Sequence, residues 1–368
     1  MFSLNFFPLG NADTIRIISP HGHRFLFDFA LLKSDEAGFD LEEDIRTDLR
    51  KAGKNGFDIV CITHVDADHC RGFEEVFYLR HSASHQGGNR LLIDTLWVPA
   101  AAITETGLAE ESARRVQKEA RHRLKAGEGI VVFSAPKALD DWLWSQGIDP
   151  ASRSGCIQHA GELISGWSLQ GDGIEFFIHS PLSWRQDEQG KEVVRNSASV
   201  VLQAVMRVGN ADTRLILGAD VDSADLTEVV KSTRRHGNDD RLDWDVLKLF
   251  HHCSYKSLNK DDRGVRETEP VPEVADLIEA HGADRSIIVS PSDPIPAALS
   301  KKGDQPPHRQ AANYYERIQK SRAGQFKVTM DTPKRPITIT VGNGGVSVLT
   351  AMAAPASAAS IAKPARAG

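Results

Sequence analysis

The segment that most limits how this chain can fold is Phe57 to Thr63, FDIVCIT, which runs straight into His64-Val65-Asp66-Ala67-Asp68-His69. A nearly continuous apolar run of that length reads as a central strand buried on both faces. Directly after it, four metal-competent side chains fall within six residues, interleaved with Val65 and Ala67. A solvated loop has no need of that interleaving. Two imidazoles and two carboxylates so crowded repel or desolvate one another unless a cation compensates. A helix should begin at about Gly72. The cluster therefore sits where a strand gives way to a helix, which is where α/β proteins build sites.

Two later strands end in the same way. LILGAD delivers Asp220 at its C-terminal end, and DVLKLF runs into His251-His252. Alone, an Asp at a strand end often caps the next helix, and a His pair decides nothing. Three strands that each finish in a metal-type residue can converge on one sheet edge.

The rest of the chain supplies the frame. SLNFFPL, DTIRII and HRFLFDFA read as strands, residues 40–54 as a helix with acids first and bases last, and DTLWVP (94–99) as a further strand. Residues 105–126 read as a helix with Val116, Ala120 and Leu124 on one stripe. Arg114, Lys118, Arg121 and Lys125 share another face, a candidate substrate-binding stripe that a solvated helix side would equally explain. From 174 onward strands dominate, separated by helical patterns at 222–236, 273–282 and 308–322. Strand-rich halves with interspersed helices predict a layered α/β fold with two sheets between helices. The expected division is one domain over 1–350, with a helical insertion at about 100–150, and an Ala-rich disordered tail over 351–368.

Composition removes other classes. The 368 residues leave room for two domains or one large layered domain, and 40% apolar residues suffice for a core. No apolar run approaches the roughly 20 residues of a membrane helix, and MFSLNFFPLG does not read as a signal peptide. Four cysteines without CxxC spacing argue against a disulfide scaffold or a zinc ribbon and fit a reducing cytoplasm. A net charge of −6 gives no footprint for wrapping long nucleic acid.

These motifs resemble the metallo-β-lactamase superfamily, and within it the ComEC-like branch found as a domain of bacterial DNA-uptake channel proteins. The branch's opening turn appears as Leu9-Gly10-Asn11-Ala12-Asp13 and Phe27-Asp28-Phe29-Ala30. Its T-H-x-D-x-D-H-x-G-G signature appears as Thr63 to Phe73, THVDADHCRGF. The N-S-x-V-L strand matches Asn196 to Leu202, L-L-x-G-D matches Leu215 to Asp220, and H-H-G-S-x-x-S matches His251 to Ser257. A late G-H-P is echoed by Pro306-Pro307-His308. Arg71 stands where the branch has the first glycine of its pair, and Cys253 stands for glycine in HHGS. The matches keep the family's order from residue 4 to about 322. The transmembrane part of the channel proteins has no counterpart in this sequence.

The resemblance implies a four-layer αββα sandwich and a metallohydrolase with two divalent ions, zinc or manganese, with magnesium also in contention. His64 and Asp66 would hold one ion, Asp68 and His69 the second, and Asp220 would bridge them. His251 would complete the second site, while His252 could contact substrate. Asn196 is the nearest substitute for a missing third His at the first ion. Asp68 and His308 are the candidate catalytic residues, and Asp28 the candidate that orients the 64–69 loop by hydrogen bonding. Three carboxylates and a bridging hydroxide would balance four positive charges, and a carboxylate-rich set suits harder ions. The leading expectation is a phosphodiesterase or nuclease acting on short or single-stranded nucleic acid or a nucleotide. Hydrolysis of a small-molecule ester, lactone or amide is the first alternative. A metal-bearing accessory protein with decayed activity is the second.

Overall fold

A computed structural model describes residues 1–32, 38–189, 196–332 and 334–349. The Ala-rich segment 351–368 lies outside the described residues. Fifteen strands are formed among the described residues: β1 Phe2–Phe6, β2 Ile15–Ile18, β3 Arg24–Phe27, β4 Gly56–Cys61, β5 Leu92–Pro99, β6 Ile130–Phe133, β7 Ile157–Gln158, β8 Ile174–Ser180, β9 Val201–Val208, β10 Ala211–Leu217, β11 Trp244–Lys248, β12 Gly282–Ser290, β13 Gln325–Val328, β14 Ile337–Gly342 and β15 Gly345–Val348. They make a nine-stranded sheet in the order β15-β14-β1-β2-β3-β4-β5-β6-β7 and a six-stranded sheet in the order β13-β12-β11-β10-β9-β8.

The two sheets pack face to face. Phe6, Phe27, Ile59, Cys61 and Trp97 of the first sheet share one buried cluster with Phe176, Leu202, Leu217, Val246 and Val289 of the second. Val60 of β4 points the other way, into a cluster with the helices over residues 41–52 and 111–126. That explains the continuous apolar run of β4, since both of its faces are buried. Outside the second sheet, helices over 223–235, 272–279 and 309–321 cover Ile216, Leu247 and Ile288. The architecture is a four-layer αββα sandwich, as expected. No helix among the described residues is long and apolar enough to cross a membrane.

Local signals set the helix ends. The first helix, Leu41–Ala52, is capped by Asp40, whose carboxylate accepts from the Glu43 N–H, and closed by Gly53 at φ 65°. Segment 100–150 holds helices Ala100–Thr104, Glu111–Ala126 and Lys137–Ser145, but also β6, which extends the first sheet in parallel beside β5. Arg123 locks this segment in place. Its buried guanidinium donates to the carbonyls of Ile93, Asp94 and Gly129 and to the Glu119 carboxylate.

His179 on β8 ties the second sheet to the 239–242 turn, which follows the 223–235 helix. Its ring contacts Thr233 Oγ1 at 3.2 Å and gives an N–H to the Arg241 carbonyl at 3.0 Å. Burial holds its pKa down at about 4, against about 6.5 for an unfolded histidine. Between those values the unfolded chain binds the proton and the folded one does not. This contribution is therefore complete above pH 6.5 and falls by about 3 kcal/mol as pH drops toward 4. Chemical denaturation at pH 7 and pH 4.5 should show His179→Gln losing distinctly less stability than the parent across that interval. Equal losses would contradict the assignment.

Candidate metal centre

Parallel pairing places the strand ends that matter. β3 and β4 run parallel in the first sheet, and β10 and β11 run parallel in the second. Their C-terminal ends deliver Asp28, then Thr63 to His69, then Asp220, and finally Lys248 with His251 and His252. The β1–β2 turn brings in Asp13, whose N–H donates to the Asp68 carbonyl at 3.0 Å.

His69 is the hub, with no exposed surface. Its Nδ1 lies 2.8 Å from Asp28 Oδ2. A carboxylate oxygen only accepts, so in the neutral ring the proton sits on Nδ1 and Nε2 is left open to a cation or a second proton. Asp28 also accepts from the Thr63 N–H at 2.7 Å and the Thr63 hydroxyl at 2.8 Å. With its proton given to Asp28, Thr63 Oγ1 can only accept from His64 Nδ1, 3.2 Å away. His252 repeats the pattern, its Nδ1 donating to the Pro291 carbonyl at 2.8 Å. Three imidazoles are thus fixed in one tautomer, with Nε2 turned inward.

The inward atoms face carboxylates. His69 Nε2 lies 3.5 Å from Asp220 Oδ1, and His252 Nε2 lies 3.3 Å from Asp68 Oδ2 and 3.5 Å from Asp220 Oδ2. His64 Nε2 lies 3.5 Å from Asp66 Oδ2, and His251 Nε2 3.7 Å from Asp220 Oδ2. Ligand atoms of Asp13, His69, Asp220 and His252 all fall within 4.8 Å of one another. His64 Nε2, His69 Nε2, Asp220 Oδ1, Asp13 Oδ1 and His251 Nδ1 are buried without a hydrogen-bond partner. Bare imidazole and carboxylate atoms this close together in the Asp13, His69, Asp220 and His252 group fit a divalent cation, and the cluster is able to hold one.

The titration behaviour says the same in electrostatic terms. Burial opposes a charged His252, yet Asp220 and Asp68 push its pKa up to about 10. His69 is likewise raised well above the usual histidine range by Asp28 and Asp220 against its own burial. Burial also opposes ionised Asp220, but His252 and His69 hold it well below the usual carboxylate range. In metal-free protein, protons supply the positive charge that the carboxylates require.

A strained turn aims the histidine pair. His251, His252 and Cys253 have φ of 46°, 51° and 64°, a left-handed conformation costing about 1–2 kcal/mol per residue outside glycine. It is held by the Ser254 N–H on the His251 carbonyl, by Pro291 on His252, and by the His308 N–H on the Cys253 carbonyl at 3.1 Å. A glycine at the third of these positions would adopt it without that cost.

The other expected site residues are placed as follows. Asp66 is at the N-cap position of the Ala67–Cys70 turn of helix, and Asp68 lies within its first turn. His251 and His252 both reach Asp220, and only His252 also reaches Asp68. His308 Nδ1 accepts from the Tyr255 N–H, and its Nε2–H is given to the Asp304 carbonyl at 3.0 Å. As placed, its ring pins the 251–257 segment. The Asn196 side chain lies outside the described part of the structure. Of the cationic stripe, Arg114 is tied to Glu111 and to the carbonyls of Leu108 and Ala109. Arg121 donates to the Ile103 carbonyl and stacks over Trp142, and Lys125 donates to Gln146, while Lys118 is exposed.

Sequence reasoning missed the partnership of Asp13 and Lys248. Lys248 is only 1% exposed and forms an ion pair with Asp13 Oδ2, which itself lies 3.7 Å from His69 Nδ1. A lone lysine inside the apolar run DVLKLF was the available signal, because a buried ammonium demands a carboxylate. Lys248→Met should destabilise the protein by about 3–5 kcal/mol by stranding Asp13. Adding Asp13→Asn should recover a large part of that loss in urea denaturation. An undiminished loss in the double variant would contradict the pairing.

Beside Asp68 opens a cleft of about 300 Å³, walled by Leu9, Asn11, Arg71, Asp293 and Met330 among others.

No family model and no curated protein matches this chain. Among solved structures it is similar to unliganded yeast PDE1, at 8% identity, 89% of this chain, 97% of that one and a TM-score of 0.41. It is also similar to a diphosphatase from the PhnP family, at 14% identity, 84% and 96% coverage and a TM-score of 0.32. The metallo-β-lactamase GOB-18 from Elizabethkingia meningoseptica follows at 11% identity, 73% and 83% coverage and a TM-score of 0.33.

Proposed function

We propose that this chain is a metal-dependent hydrolase of the metallo-β-lactamase superfamily, ComEC-like branch, cleaving phosphodiester bonds in short or single-stranded nucleic acid or in a nucleotide. The observation that carries the reading is the convergence of bare imidazole Nε2 atoms and carboxylate oxygens in one buried space beside a cleft. His64 and Asp66 would hold one divalent ion, and His69, Asp68, Asp220 and the 251–252 pair a second. When bound, such an ion lowers the pKa of water from about 15.7 toward ~7 and polarises the oxygen under attack. Manganese and zinc are the ions that this donor set best suits.

The chain's own residues do the remaining work. Asp28 and Thr63 fix the tautomers of His69 and His64, and Pro291 fixes that of His252, the kind of outer support that tunes a metal ligand. Asp68, kept ionised by His252 and His69 against its burial, faces the cleft as an acceptor and is not a proton donor. The cleft's size suits one nucleotide-sized unit. Its apolar Leu9 and Met330 favour ester or lactone hydrolysis as a second reading. Four free, buried cysteines suit a reducing cytoplasm.

The test is reconstitution of purified protein with manganese or zinc, assayed on bis-p-nitrophenyl phosphate, a short single-stranded DNA and p-nitrophenyl acetate. Phosphodiester cleavage that a chelator abolishes is the expected result. Folded, metal-loaded protein that cleaves neither phosphodiester would refute the reading, and turnover of the acetate alone would establish the second one.

A further inference from the structure

The cleft beside Asp68 has two carboxylates, Asp68 and Asp293, and one guanidinium, Arg71, on its walls. Arg71 is exposed at the C-terminal end of the Ala67–Cys70 turn, with its carbonyl fixed by the Leu31 N–H at 2.9 Å. Among the described residues its side chain forms no hydrogen bond and no ion pair, although two acids share its cleft. Arg71 thus lines one space with two carboxylates and pairs with neither, which leaves its donors open to a ligand.

The wall that carries Asp293 is preformed. Asn11 accepts from the Asp293 N–H at 3.0 Å and donates to the Pro306 carbonyl at 2.7 Å, tying the β1–β2 turn to the 291–308 loop. Gly10 has φ of 65°, and a Cβ there would stand 3.0 Å from Asp293 Oδ1. The carboxylate therefore closes over bare backbone, which fixes Asp293 at this side of the cleft. The other charged side chains on these walls are the acids Asp68 and Asp293, so Arg71 is the group that makes the cleft receptive to an anion.

We propose that Arg71 is a specificity-determining residue that binds a phosphoryl group of the substrate in this cleft, with Asp293 receiving a hydrogen-bond donor from the part of the substrate beyond it. This rests on the phosphodiester reading above and names the subsite that such a substrate needs. A planar fork of donors matches phosphate oxygens in a bidentate manner, which a lysine does not.

The test is calorimetric titration of inorganic phosphate, and separately of acetate, into the full chain with and without manganese. The parent protein, Arg71→Gln, Arg71→Lys and Asp293→Asn are compared. Arg71→Gln should weaken phosphate binding about tenfold to a hundredfold, Arg71→Lys should recover part of it, and Asp293→Asn should leave it unchanged or tighter. Phosphate affinity within twofold of the parent in Arg71→Gln would overturn the proposal. So would an absence of phosphate binding to the parent, or acetate binding as tightly as phosphate. Arg71-dependent phosphate binding without phosphodiester turnover would retain this subsite and reject the proposed function. Turnover indifferent to Arg71 would do the reverse.

Discussion

Asp220→Asn is expected to abolish stoichiometric binding of divalent metal and to lower metal-dependent turnover by about a hundredfold or more. Asp220 faces three imidazoles, with His69 and His252 at 3.5 Å and His251 at 3.7 Å. No other side chain touches all three among the described contacts. The amide keeps the shape but loses the charge, and its NH₂ cannot accept, so one side of the cluster loses both ligand and counter-charge. Asp222 is the matched control. It caps the 223–235 helix through the N–H groups of Ala224 and Asp225, so Asp222→Asn should cost about 1 kcal/mol or less of stability and leave metal binding intact. Calorimetric metal titration of both variants separates these outcomes, and equal metal binding by Asp220→Asn and the parent would place the centre elsewhere.

Asp28→Ala is expected to have a large effect on stability. The change strands the His69 Nδ1–H, the Thr63 N–H and the Thr63 hydroxyl, all of which end on Asp28 at 2.7–2.8 Å. Asp28 is 2% exposed, so water does not replace the lost acceptors. About 3–5 kcal/mol should be lost in denaturant unfolding of the metal-free protein. Asp28 also sits at φ 57°, a conformation that asparagine tolerates better than alanine. Asp28→Asn should accordingly lose less stability than Asp28→Ala while still weakening metal binding about tenfold to a hundredfold through a poorly oriented His69. If Asp28→Ala unfolded at the parent's denaturant concentration, the tautomer argument for His69 would fail with it.

The layered fold was legible because it rests on local patterns: β4's nearly continuous apolar run, the strand-length apolar runs of β8 to β12, and helix entries such as Asp40. β6 was passed over, since IVVF is four residues sandwiched between two strong helices, too short for periodicity to register. Its place is decided by pairing with β5, which is a tertiary fact. The metal-type residues were visible at strand ends, but their mutual geometry was not. The sequence favoured His251 on the position of the strand end. The structure brings His252 nearer to Asp68, because the left-handed turn at 251–253 rotates the second ring inward. That rotation is held by Pro291 and His308, far along the chain, and no local signal encodes it.

The cationic stripe shows the opposite limit. Helical spacing correctly put Arg114, Lys118, Arg121 and Lys125 on the Glu111–Ala126 helix. Periodicity gives direction around a helix axis and says nothing about nearby carbonyls. Arg121 is drawn onto the end of the 100–104 helix at Ile103, and Arg114 onto the 108–109 segment. Arg71, noticed in the sequence only as a departure from a glycine, is the cation that the fold leaves unpaired in the cleft.

The central claim is that the Asp/His cluster is a metal centre, and metal content tests it most directly. Purified parent protein and Asp220→Asn are dialysed to equilibrium against manganese or zinc, and the bound metal per chain is measured by mass spectrometry. At least one tightly held ion per parent chain, lost in Asp220→Asn, is the predicted result. A parent chain that retains no ion, or a variant that retains as much as the parent, would contradict the claim.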